Sequence, residues 1–185
     1  RNRSVTTDHL EHLNQCIREQ TDKDSIILTA VNSSADEINR ERLEKLRGKI
    51  KSFQGTFRGD FPEREIPTDA ELFLKKGARV MCVANDPNGQ FVNGSLGWVE
   101  EFDDGDKDEE IEPSVTVRLD GGEIVSISPY SWNMYRSVFN PQSKSLDQER
   151  LGSFTQIPLK LAWAITIHKS QGKTFDQVTI DLGKG

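Results

Sequence analysis

The sequence predicts an α/β fold that is interrupted by a small all-β barrel. An apolar strand pattern over 26–31 leads directly into a helix pattern, which together make the opening half of a β-α unit. Between 85 and 155, short strands alternate with turn residues, as is typical of a small barrel. A further strand pattern, 178–182, comes near the end. The predicted division is a connecting amphipathic helix over 1–24, an α/β domain from 25–84 and 156–185, and an inserted barrel over 85–155.

The first strand and helix carry clear boundary signals. Residues 26–31 form a continuous apolar run, which suits a parallel strand that is buried on both faces. Ser34, with Glu37 three residues later, predicts the N-terminal cap of the helix that follows. Gly48 stands where that helix would end.

Turn signals and a charged run mark the predicted insert. An Asn-Gly turn at 93–94 and a tight turn at 120–122 separate alternating strands. An acidic run over 100–112 holds nine acidic residues against Lys107. Without the −8 of that run, the net charge of −6 becomes +2, so the remainder has no net charge that opposes nucleic-acid binding. The run is predicted to be a solvated loop, with an acidic docking segment as the alternative.

The last apolar segment, 159–171, is ambiguous. Periodicity alone allows either a helix or a buried strand. Pro158 suits a first helical turn and Gly172 suits a helix end, so a helix is predicted.

Composition limits the class of protein. Of 185 residues, 34% are hydrophobic and 29% are charged. The longest strongly apolar run, 161–167, is too short to cross a bilayer, which takes roughly 20 residues, so an integral membrane protein is excluded. Two cysteines cannot build a disulfide framework, which favours an intracellular, reducing compartment. His9, His12 and Cys16 have a spacing that suits zinc, but without a nearby fourth ligand no metal site is predicted.

The densest chemistry lies in the sequence TIHKSQGKT at 166–174. Hydroxyls, an imidazole, an ammonium and a glycine are the groups that hold phosphate oxygens through charge-assisted and backbone hydrogen bonds. A nucleotide phosphate loop would need a glycine five residues before Gly172, and Ile167 is there instead. The segment therefore predicts phosphate contact without a phosphate loop.

The run LKLAWAITIHKSQGKTF at 159–175 resembles the fifth helicase motif of the Pif and RecD-like branch of superfamily-one DNA helicases. Residues 28–43, with Asn32 and Asn39, are similar to the fourth motif, and 76–99 resemble the segment that leads into the inserted barrel of the family. The resemblance implies part of the second RecA-like motor domain, interrupted by a barrel of the Src-homology-three type.

The resemblance also implies cofactors and partners. In the intact family, ATP and magnesium lie between two motor domains, and hydrolysis drives movement along single-stranded DNA to separate a duplex. The implied partners are single-stranded DNA, duplex junctions and the first motor domain of the same polypeptide, with no membrane. The chain begins at Arg1 and stops soon after a strand pattern, so we expect a piece of a longer protein, with no cofactor bound and no catalytic residue of its own.

Residue roles follow from the matched motifs. Thr166, His168 and Lys169 are implied to face the DNA backbone, with Ser170 as a further candidate. Asn32 is a weaker DNA candidate, since its turn position is equally explained by turn chemistry. Two more residues are implied to lie nearer the nucleotide: Gln171 and Gly172.

Two alternatives stay open at this point. The chain could be a non-catalytic module that binds single-stranded nucleic acid or a protein, in which case it would act without an upstream motor domain. Trp98 and Trp132 are interpreted as barrel core, with a base-stacking surface as the alternative.

Overall fold

The computed structural model of the chain describes residues 7–8, 11, 15, 25–106, 111–140, 144–172, 174–175 and 177–181. Within these residues the fold is mixed α/β and mostly sheet, which confirms the predicted class. The predicted connecting helix over 1–24 and the residues His9, His12 and Cys16 lie outside the described part, apart from four positions of that segment. No helix in the described ranges has the length and apolar character needed to cross a bilayer.

The described elements follow one another in this order: β1 (Ile26–Thr29), α1 (Asn32–Lys45), β2 (Lys51–Gln54), β3 (Thr56–Gly59), a 3-10 turn (Glu63–Glu65), β4 (Glu71–Leu74), β5 (Arg79–Cys82), β6 (Leu96–Asp103), β7 (Ser114–Leu119), β8 (Ile124–Ile127), β9 (Tyr130–Asn140), β10 (Ser145–Gln156), β11 (Leu159–Leu161), β12 (Ala164–Thr166), α2 (Ile167–Ser170) and β13 (Val178–Asp181).

A parallel three-stranded sheet forms the α/β part, in the order β12-β1-β13. Strand β1 is central: Leu28 lies beside Ile165 on one side and Ile180 on the other. Helix α1 packs on this sheet through Ala35, which clusters with Ile27 of β1 and Ala164 of β12. The buried parallel strand predicted from 26–31 is confirmed, because a central strand with apolar neighbours on both sides needs a continuous apolar run.

The predicted cap of α1 is wrong. The helix begins at Asn32, and its N-cap residue, Val31, makes no side-chain capping bond. Ser34 therefore lies inside the first turn, because the chain leaves β1 and enters the helix within two residues. At the other end, the helix stops at Lys45, three residues before Gly48, which has φ +107°. The Lys75 ammonium donates to the carbonyl of Leu46 at 2.9 Å and so satisfies one of the carbonyls at this end.

Antiparallel strands form the rest of the fold and hold the main core. One sheet has the order β11-β5-β6-β7-β8, a second has β3-β10-β9, and β2 pairs with β4. Strands β5 and β11 belong to the same sheet as β6 to β8, although they lie outside 85–155 in sequence. The tight turn at 120–122 does join β7 to β8, as predicted. The most deeply buried members of this core are Leu72, Leu74, Ala78, Val80, Cys82, Val99, Val115, Val117, Ile127, Ile157 and Leu159.

The helix predicted over 159–171 is wrong for most of its length. The segment forms strands β11 and β12, and only Ile167–Ser170 is helical. Between the strands, the amide of Ala162 donates to the carbonyl of Arg79 at 2.9 Å, and the carbonyl of Trp163 accepts from the amide of Ile27 at 2.9 Å. Backbone groups that would bond within a helix therefore bond to neighbouring strands. All four residues from 162 to 165 are buried, so the segment has no exposed polar face. Without such a face, hydrophobic periodicity cannot distinguish a helix from a strand.

Both tryptophans of interest pack against protein groups. The ring of Trp132 stacks on Phe154, with centroids 5.8 Å apart, at the base of the β9–β10 hairpin. The ring of Trp98 lies under the guanidinium of Arg79, whose Cζ is 4.9 Å from the ring centroid. Both tryptophans are only half-buried and neither is named in the described core clusters, so the core interpretation and the base-stacking alternative both stay predictions.

Candidate nucleic-acid interface

The candidate interface lies at the carboxyl edge of the parallel sheet. Thr29 and Thr166 are the last residues of β1 and β12, and they stand side by side in the sheet register. Helix α1 begins with Asn32 just after β1, and α2 follows β12 without a break. In open α/β sheets, ligands bind outside the carboxyl ends of the strands. The topology therefore brings residues from both helix starts to the edge where a ligand is expected.

A cleft of about 340 Å³ opens at this edge, and Asn32, Thr166 and Lys169 all line it. Its apolar wall includes Leu43 and Ile165. The charged residues that line it are three cations and three carboxylates: Arg40, Lys160, Lys169, Asp36, Asp69 and Glu71. The cations and polar groups can donate to a phosphate, while the three carboxylates oppose an anion that lies close to them.

Lys169 is the most perturbed of these cations. Burial lowers its pKa, and the neighbouring charge of Lys160 lowers it further, while Asp36 and Asp69 act in the opposite direction. Lys160 is itself paired with Asp69, with its Nζ 3.8 Å from a carboxylate oxygen. An anion placed in the cleft would favour the charged ammonium and oppose the effect of burial.

The remaining candidates lie on the adjoining turn and are not among the residues that line the cleft. His168 is exposed, and the hydroxyl of Ser170 donates to the carbonyl of Ile167 at 2.7 Å. Gln171 and Gly172 form an exposed turn after α2, and Gly172 has φ +74°. A Cβ at Gly172 would meet nothing within 4 Å, so the turn leaves open space beside its backbone.

The fold resembles solved structures of helicases. The solved structure of unliganded Pif1 from Bacteroides sp matches with a TM-score of 0.80 and 34% identity, covering 95% of this chain and 39% of that one. Bacteroides Pif1 bound to ssDNA matches with a TM-score of 0.75 and 35% identity over the same shares. An ATP-dependent DNA helicase PIF1 from Xenopus laevis is 32% identical over 187 residues, covering 97% of this chain and 27% of that protein. The chain belongs to the Pif1-like helicases of superfamily one. No family model matches it.

The Pif1-like chain spans well under half the length of these relatives. Its likeness extends across the parallel sheet and the antiparallel strands alike, since 95% of the chain is covered. The resemblance inferred from 159–175, 28–43 and 76–99 is thereby confirmed.

Asn39 is a polar residue of this Pif1-like chain that lines the cleft and that the sequence did not single out. Asn39 lies on α1 and is buried, between Ala35 one turn before it and Leu43 one turn after it. Residues four apart share a helix face, so an asparagine in the middle of an apolar stripe was a visible signal for a buried amide. In the sequence analysis, Asn39 is named only for its place in the fourth motif.

Proposed function

We propose that this chain is part of the second motor domain of an ATP-dependent DNA helicase that moves on single-stranded DNA and unwinds duplex. The proposal rests on one observation above others: Asn32, Thr166 and Lys169 converge on one cleft at the carboxyl edge of the parallel sheet. The relatives named as ATP-dependent DNA helicases and the relative bound to ssDNA support the same function. Forked duplex DNA is a further proposed partner, as is the first motor domain of the same polypeptide.

In this proposal, the cleft holds the DNA backbone. The Lys169 ammonium and the Thr166 hydroxyl offer donors to one phosphate, and Asn32 offers an amide from the facing helix start. His168 and Ser170 extend the contact along the exposed turn. Phosphate contacts carry no base information, so the proposed binding is independent of sequence.

The nucleotide side of the proposal concerns Gln171 and Gly172. Open space next to the backbone of Gly172 fits a neighbouring phosphate group, and the exposed Gln171 amide can donate to one. ATP with its magnesium ion supplies the free energy for movement when bound. Only two residues separate Lys169 from Gly172, so a shift of this turn would displace the DNA contacts directly. The phosphate loop and the magnesium ligands are proposed to lie in the first motor domain.

The proposal also covers the arrangement of the antiparallel strands. We infer that 85–155 form the core of a Src-homology-three type barrel inserted in the motor domain, with β5 and β11 completing its sheet. The shared sheet of β11, β5, β6, β7 and β8 supports this inference. An intracellular, reducing location is also proposed, and the buried Cys82 thiol, whose pKa is raised to about 12 by burial, is suited to stay unreactive there.

The test uses the full-length protein and measures ATP hydrolysis against the concentration of single-stranded DNA. Thr166→Val removes the hydroxyl and keeps the shape of the side chain. We expect a higher DNA concentration at half-maximal stimulation, with hydrolysis in the absence of DNA unchanged. An unchanged half-maximal concentration would remove Thr166 from the DNA site. Absence of DNA-stimulated hydrolysis in the unmodified protein would favour the non-catalytic binding module instead.

A further inference from the structure

The side-chain amide of Asn39 bonds to main-chain groups far away in sequence. Its Nδ2 donates to the carbonyl of Ala164 at 2.9 Å and to the carbonyl of Leu161 at 3.3 Å. Its Oδ1 accepts from the amide of Ala164 at 2.9 Å. Asn39 is 7% exposed, so these three bonds satisfy a polar group that has little access to water.

The bonded residues mark the point where the chain passes between the two sheets. Leu161 is the last residue of β11, in the antiparallel sheet, and Ala164 is the first residue of β12, in the parallel sheet. Asn39 is therefore hydrogen-bonded to the residues on both sides of the two-residue crossing, 162–163. Strand β12 has only three residues, so the position of its first residue largely sets the position of Thr166 at its end.

We propose that Asn39 is a positioning residue for DNA binding, which acts through Thr166 and Lys169. By fixing the crossing, the amide sets where β12 ends and α2 begins, and hence where the donors of the cleft stand. The proposal rests on the proposed function and adds to it a residue that lines the cleft but whose amide is already bonded to main-chain groups. A loose crossing would leave the donors present but misplaced, and misplacement weakens binding without unfolding the protein.

An amide is the group that this position requires. It donates to two carbonyls and accepts from one amide at the same time, which a carboxylate cannot do. In Asn39→Asp, the side chain can still accept from the amide of Ala164, but it faces two carbonyl oxygens without a proton to share. The substitution therefore keeps the side-chain volume and removes the two hydrogen bonds that Nδ2 donates to Leu161 and Ala164.

The first experiment compares Asn39→Asp with Thr68→Val in the full-length helicase. The Thr68 hydroxyl donates to the carbonyl of Leu159, at the opposite end of β11 from the crossing, and Thr68 is 1% exposed. Both variants lose buried hydrogen bonds to the same segment, so both are expected to lower the melting temperature. Binding to a fluorescent oligo-dT is measured well below both melting temperatures.

We expect Asn39→Asp to raise the Kd for oligo-dT by about tenfold, the usual scale for losing a residue that orients a binding group. Thr68→Val should change Kd by less than about twofold, since neither Thr68 nor Leu159 lines the cleft or holds the crossing to β12. Equal Kd changes in the two variants would overturn the proposal, because Asn39 would then act only on stability. If Asn39→Asp does not fold, Asn39→Ser takes its place, and a Kd unchanged from the unmodified protein overturns the proposal equally.

A second measurement separates positioning from independent contact. If Asn39 acts through Lys169, then Asn39→Asp and Lys169→Ala together should weaken binding by less than the product of their separate effects. Fully multiplicative effects would overturn the proposal. The proposed function fails separately: it is contradicted if Lys169→Ala and Thr166→Val leave Kd unchanged. The positioning role alone fails if those two variants weaken binding and Asn39→Asp does not.

Discussion

Removing Asp120 should expose how strongly the antiparallel sheet depends on one buried charge. Arg79, on β5, has a side chain that is only 6% exposed, and both of its terminal nitrogens bond to the carboxylate of Asp120. The Nη2 to Oδ2 distance is 2.6 Å. Asp120 stands at the start of the turn between β7 and β8, so the pair ties β5 to that turn across the sheet. Asp120→Ala leaves the guanidinium buried without its partner.

The expected loss is set by how far each partner is from water. Removing one partner of a buried ion pair costs about 3–5 kcal/mol. The Asp120 side chain is 47% exposed, so water can reach one end of the site and the loss should be smaller. The Trp98 face keeps some attraction for the cation, on the order of 1 kcal/mol. The Nε of Arg79 is also buried and has no hydrogen-bond partner among the described residues. No such partner is therefore in place to compensate the guanidinium when Asp120 is removed. We expect a loss of about 2–3 kcal/mol in the free energy of unfolding.

The assay is urea unfolding followed by tryptophan fluorescence, because Trp98 reports on this site directly. Glu149→Ala is the matched control: it breaks the Arg136 ion pair, whose side chains are 60% and 56% exposed, and should cost about 0–1 kcal/mol. Replacing both partners, Arg79→Met with Asp120→Ala, should recover most of the loss, since no charge then stays buried. A loss below about 0.5 kcal/mol for Asp120→Ala, or a double variant no more stable than the single, would refute the reasoning.

Two further predictions concern the loop and a close strand contact. Replacing 104–110 with a short Gly-Ser linker should leave cooperative thermal unfolding intact, because Asp104 is 77% exposed in its ion pair with Lys51 and loop length has a weak entropic effect; loss of cooperativity would mean that the acids hold structure. Gly152→Ala should cost about 1–3 kcal/mol by chemical denaturation, because its Cβ would lie 2.7 Å from the carbonyl oxygen of Arg58 on β3. A variant as stable as the unmodified chain would show that β3 and β10 can separate without cost.

The parts of the fold that sequence could predict are those set by local pattern. The strand within 26–31 and the helix after it follow from an apolar run, a short turn and a helical stripe. The segment 159–171 was misread because its centre is buried on all sides, so nothing in the local pattern distinguishes strand from helix. The N-cap of α1 was predicted at the wrong residue, because the two-residue connection from β1, and not a capping side chain, sets where the helix begins.

The site was only partly predictable. Asn32 and Thr166 were both named from the matched motifs, but 159–171 was predicted as a helix, so only the structure shows that Thr166 ends a parallel strand beside Thr29. The role of Asn39 could not be inferred, because its partners are main-chain groups 122 and 125 residues away. The carboxylates of the cleft were also missed, since Asp69 and Glu71 come from the connection before β4 and from that strand itself. Only the tertiary fold brings them beside Lys169.

The most direct test of the DNA site is the salt dependence of single-strand binding in the full-length protein. Lys169→Ala is compared with Lys45→Ala, which removes a lysine from the other end of α1, about 20 Å along the helix from Asn32. One lost phosphate contact should weaken binding by a similar factor on different sequences and reduce the magnitude of the slope of log K against log salt by about 0.7. Lys45→Ala should leave both unchanged. Unchanged affinity and slope in a folded Lys169→Ala protein would contradict the placement of the DNA backbone in this cleft.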